Sequence, residues 1–165
     1  MSRVEKAWVF EGHRCAVFMM PWGNRCGYVQ VKEGHPLFGH SYNEHVPTLC
    51  SQLEKIKHSP IGKRGIIPVL IWDRERCSPE IIFDVHGGLT YSGELLGESW
   101  WFGFDCEHEG DARDPAEMDE AHRRTYHKWP SFEHGVVRSL EYCVGECESL
   151  VKQINDIFEP KEVAK

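Results

Sequence analysis

Ala7-Trp8-Val9-Phe10-Glu11-Gly12-His13-Arg14-Cys15-Ala16-Val17-Phe18-Met19-Met20-Pro21-Trp22-Gly23-Asn24-Arg25-Cys26-Gly27-Tyr28-Val29-Gln30-Val31 decides the fold. Three runs rich in apolar, β-branched and aromatic residues occupy 7–10, 14–20 and 26–31. They are separated by Glu11-Gly12-His13 and Pro21-Trp22-Gly23-Asn24, linkers with the glycine, proline and asparagine that tight turns need. Connections this short return each strand alongside the one before it. The stretch therefore predicts an antiparallel meander.

Downstream, Glu33-Gly34-His35-Pro36-Leu37-Phe38-Gly39-His40-Ser41-Tyr42 reads as a loop, since proline and glycine interrupt any helix. Val46, Leu49, Leu53 and Ile56 then fall at spacings of three and four, which predicts a short amphipathic helix over 43–56 with Pro47 in its first turn. After an exposed basic loop at 57–65, residues 66–72 and 80–85 are two further strand candidates, Pro68 placing the first at an edge. Residues 107–133 are polar and read as a long loop with at most a helical turn or two. Val136, Val137, Leu140, Cys143, Val144, Cys147, Leu150, Val151, Ile154, Ile157 and Phe158 form a 3.6-residue stripe, a helix built to lie on a sheet. The expected fold class is α+β: a single domain over residues 1–165, with a largely antiparallel sheet of five to seven strands and one shorter helix beside the long C-terminal one.

A net charge of −7 disfavours a general nucleic-acid binder, which would present a basic face to phosphates. There is no apolar run of membrane-spanning length and no signal-like segment behind Met1, so neither a membrane nor secretion is expected. Seven cysteines without a framework spacing suit reduced thiols and a cytoplasmic location. Cys143 and Cys147, on the terminal helix, read as core packing.

Two segments carry the candidate chemistry. The first is Phe83-Asp84-Val85-His86-Gly87-Gly88-Leu89-Thr90-Tyr91-Ser92-Gly93, in which His86 follows a strand-like run and Gly87 and Gly88 allow close backbone approach by a ligand. The second is Trp100-Trp101-Phe102-Gly103-Phe104-Asp105-Cys106-Glu107-His108-Glu109-Gly110-Asp111, which delivers carboxylates, a thiol and an imidazole at a strand end. Imidazole and carboxylate together suit a first-row divalent metal such as zinc, and three protein ligands with one open position acidify a bound water. His86, Asp105 and His108 are the expected metal ligands, with Glu107 or Asp111 as catalytic base or supporting group. Tyr91, Trp100 and Trp101, with Gly87 and Gly88, are the expected ligand-binding residues. Adjacent strand residues face opposite sides, so one indole enters the core while the other lines a pocket or interface. Cys106 is alternatively a nucleophile or a buried, inert thiol. No HExxH, GxxxxGK[ST] or GxGxxG pattern is present.

Cys26-Gly27-Tyr28-Val29, Gly34-His35-Pro36-Leu37-Phe38-Gly39, Val85-His86-Gly87-Gly88-Leu89-Thr90-Tyr91-Ser92 and the 101–111 block resemble an uncharacterised family of small proteins of bacteriophage and bacterial genomes. The resemblance implies a phage-linked protein of the host cytosol and brings no activity, cofactor or catalytic assignment with it. Two functions follow as expectations. One is a metal-assisted hydrolase of a small polar substrate. The other is a non-catalytic factor that binds a host protein or sequesters a nucleotide-like ligand.

Overall fold

A computed structural model describes residues 1–57, 62–63, 77–97, 99–126 and 135–159. The three N-terminal runs form β1 (Arg3–Phe10), β2 (His13–Met19) and β3 (Arg25–Val31), joined as the antiparallel meander that their turns dictate. Phe10 pairs with His13 across a two-residue turn in which Glu11 and Gly12 both take positive φ, 41° and 88°. That is the backbone of a type I′ hairpin, whose twist matches the strands it joins. The sheet is completed by β4 (Tyr91–Glu94) and β5 (Trp100–Asp105) in the order β1-β2-β3-β5-β4, with every pairing antiparallel.

Side-chain alternation divides the sheet into two faces. Cys15, Val17, Val29, Val31, Phe102 and Phe104 belong to the buried core, with Cys143, Cys147, Leu150, Val151 and Ile154 of the long C-terminal helix. Ala16, Tyr28, Gln30, Trp101 and Gly103 lie on the outer face. Two glycines make room for rings from the paired strand. A Cβ on Gly27 would sit 2.4 Å from the Phe104 ring, and one on Gly103 would sit 2.5 Å from Tyr28.

The helices are α1 (Cys50–Lys57), entered through a 3₁₀ turn at Pro47–Leu49, α2 (Pro79–Ile82), α3 (Glu120–Thr125) and α4 (Leu140–Phe158). The expected helix over 43–56 is thus present but starts later, because Val46 is extended and only Pro47 opens the turn. The terminal helix also starts later than its apolar stripe. Ser139 caps it by accepting the Tyr142 N–H (3.1 Å), while Val136 is drawn into a bridge with Asp111.

The strand expected over 80–85 is corrected: its first half is α2 and its second half an extended connection. Ser78 and Pro79 supply an extended N-cap and a proline at the first helical position, and Glu80, Ile81 and Ile82 are buried all round. A short, wholly buried apolar run carries no period to separate strand from helix. His86 therefore follows a helical turn and an extended link rather than a strand. The strand candidate at 66–72 lies outside the described residues. In the polar region after β5, α3 is the helical turn expected there, with Asp119 capping it through the His122 N–H. No helix among the described residues is long and apolar enough to cross a membrane.

Candidate functional site

His86 and Asp111 come together in the interior, where the loop after β5 meets the connection between α2 and β4. His86 Nε2 donates to Asp111 Oδ2 at 2.7 Å, and His86 Nδ1 lies 3.0 Å from the Tyr142 hydroxyl. The carboxylate can only accept, so Nε2 carries the ring proton in that bond. The His108 N–H also donates to Asp111 Oδ2 (2.9 Å), and Arg138 Nε donates to Oδ1 (2.7 Å). Burial alone would raise the Asp111 pKa, but these donors outweigh it and hold the carboxyl below its ordinary range. Glu146 is buried beside this cluster, accepting the His86 N–H (2.9 Å) and pairing with Lys63. The Lys63 ammonium is correspondingly raised, chiefly by its bond to Glu146. Both nitrogens of His86 and both carboxylates are engaged, so the cluster is a polar knot holding the site segments to α4.

The other expected ligands are placed at its margin. Asp105 Oδ2 accepts from the Thr90 hydroxyl (2.7 Å), and Oδ1 accepts the Glu107 N–H (3.1 Å) and lies 3.5 Å from His108 Nε2. His108 stands 5.7 Å from His86, ring centre to ring centre, but His86 is turned to Asp111 and Tyr142. Glu107 is paired with Arg113. The space at Gly87 is filled by the chain itself. A Cβ there would fall 1.9 Å from the His108 ring, and the backbone has φ +67°. Cys106 is buried with its Sγ 3.6 Å from Cys143 Sγ; that contact and then burial push its thiol far up, which describes an inert residue.

The two indoles separate as strand geometry requires. Trp100 packs against the core cluster and donates its Nε1–H to the His40 carbonyl (2.9 Å). Trp101 lies on the outer face, where it lines an apolar pocket of about 270 Å³ with Ala7, Val9, Ala16 and Leu96. Tyr91 is also on the outer face, edge to face with Tyr28 at 5.4 Å.

A group of ligand atoms close enough to share one ion occurs elsewhere among the described residues, at His45, Cys50 and Cys77, with all three atoms within 4.8 Å of one another. His45 ends the loop before the 3₁₀ turn, Cys50 opens α1, and Cys77 precedes α2. Two hydrogen bonds close this arrangement: the Val46 N–H to the Cys77 carbonyl (2.9 Å), and the Cys77 N–H to His45 Nδ1 (3.1 Å). His45 Nε2 faces Cys50 Sγ at 4.0 Å. One imidazole and two thiols form a soft donor set, which suits zinc. Coordination through either ring nitrogen disrupts the bond from Cys77 N–H, because that bond holds Nδ1 as an acceptor. That bond is worth about 1 kcal/mol. Sequence reasoning missed these three residues because their spacing matches no compact metal motif; only the bridge between Val46 and Cys77 brings them together.

Compared with protein-family models, with curated proteins and with solved structures, the chain shows no match, and its functional reading rests on this geometry.

Proposed function

We propose that the protein is a zinc-dependent hydrolase of a small polar substrate, its ion held by His45, Cys50 and Cys77. The observation that carries the proposal is the convergence of these three ligand atoms within 4.8 Å. Three protein ligands leave one tetrahedral position free, where the ion would supply Lewis acidity and a water acidified toward neutral pH. The chain's own contribution is to hold the donors. The Val46–Cys77 backbone bond fixes the spacing of the two segments, Cys77 is buried, and the exposed His45 leaves one side open to solvent. Asp111 does not supply the base, since its bonded carboxyl is held ionised and fully engaged. This reading keeps the expected metal-assisted hydrolase but gives its ion to His45, Cys50 and Cys77 in place of His86, Asp105 and His108.

Protein purified with zinc should carry one ion per chain by elemental analysis, and Cys50→Ser and Cys77→Ser should each lose it while keeping the circular dichroism of the parent. The loaded protein should hydrolyse p-nitrophenyl acetate or bis(p-nitrophenyl) phosphate faster than free zinc does, and His45→Ala or chelation should abolish this. Failure to retain zinc rejects the site; stoichiometric zinc without hydrolysis leaves the ion a structural tie and rejects the enzyme.

A further inference from the structure

Where the two motif segments meet the β2–β3 turn, the outer face of the sheet holds a second pocket, of about 210 Å³. Trp22, Tyr28 and Tyr91 supply aromatic walls, and Asp105 and Glu107 bring carboxylates to its edge. Asn24 also lines it. This side chain is 3 % exposed, and neither its Oδ1 nor its Nδ2 has a hydrogen-bond partner. Both amide atoms are closed off from solvent, so Asn24 forms part of the pocket's floor and leaves the recognition to the rings and carboxylates.

The charges select the ligand. Among the described residues that line the pocket, none is Lys, Arg or His, and the whole chain carries −7. This lining disfavours a phosphate or carboxylate in this pocket. Glu107 is already balanced by Arg113, so a cation is favoured by the Asp105 carboxylate and by the ring quadrupoles of the aromatic walls. The volume lies below the roughly 300–1,000 Å³ of pockets for drug-sized molecules, so the occupant is a single small group.

We propose that this pocket binds a small organic cation of the alkylammonium or guanidinium class. Its aromatic walls cover the apolar surface of the cation, and Asp105 offsets the charge. The same chemistry is offered by a free metabolite and by a lysine or arginine side chain of a peptide. The pocket does not depend on the zinc proposal, because none of His45, Cys50 and Cys77 lines it.

The test is a titration of the full chain followed by tryptophan fluorescence, with choline, methylguanidine and a trimethyllysine peptide as probes and 3,3-dimethylbutanol as the neutral isostere of choline. At least one cation should saturate, binding about tenfold or more tighter than the neutral isostere, a margin within reach of a desolvated cation–π contact. Asp105→Asn and Tyr91→Leu should each weaken it by a similar factor, and the second keeps the test valid if the first disturbs the Thr90 bond. A peptide that binds more tightly than choline identifies the source as a protein side chain; equal binding identifies a free cation. Equal affinity for the neutral isostere, or no saturation by any cation below about 10 mM, overturns the proposal.

Discussion

Asp111 shows how much one side chain can organise. Its carboxylate is buried, and it joins His86, the His108 backbone and Arg138, so three segments depend on one charge. Its removal strips an acceptor from the histidines and from Arg138, which is itself partly exposed, at about 1.5–3 kcal/mol. Asp111→Ala should lose that much in urea unfolding at neutral pH. The sign of the pH dependence follows from the lowered carboxyl. A folded pKa below the unfolded value, about 3.9, gives stability that is fully present above the unfolded pKa and is lost as pH falls through the folded one. The gap between wild type and Asp111→Asn should accordingly narrow from pH 7 to pH 3. Equal urea midpoints at pH 7 would show that the charge contributes nothing. The sequence marks Asp111, His86 and His108 as site residues, but Arg138, 27 positions away, is invisible there.

At the level of elements, local chemistry is strongest where a turn has little choice. The β1–β2 hairpin needs positive φ at both central residues; Gly12 accepts this freely and Glu11 does not. Glu11→Asn should stabilise the protein by roughly 0.5–1 kcal/mol, since asparagine tolerates this conformation. The expected rise in melting temperature is about 1–4 °C, judging from chains of similar length. A fall would mean that the 3.5 Å contact from Asn155 to Glu11 Oε2 outweighs the backbone strain. The strands at 7–10, 14–20 and 26–31 were readable because glycine and proline punctuate a period of two. The segment at 80–85 was misread because α2 is only four residues long and buried on every side.

At the level of the whole molecule, the zinc proposal has a consequence for stability. His45 precedes α1, Cys50 is its first residue and Cys77 follows it in the chain, so an ion shared by all three ties together positions 45 and 77. An ion that binds only the folded state adds about 4 kcal/mol when its free concentration is 1,000 times its Kd. Thermal melts with and without zinc should differ markedly for wild type and hardly at all for Cys77→Ser, and binding should weaken in acid as protons compete for the thiolates. Superimposable melts for wild type would sink the zinc reading at this scale. By itself, the sequence determined the meander, the glycine turns and the apolar stripe of the terminal helix, because these depend on neighbours a few residues apart. Only the tertiary structure decided that β3 pairs with β5, that Asp111 reaches Arg138 and that His45 meets Cys77, 32 positions away. Such contacts arise when the core excludes water and buried polar groups must find partners wherever the packed chain has brought them, and no local period encodes that choice.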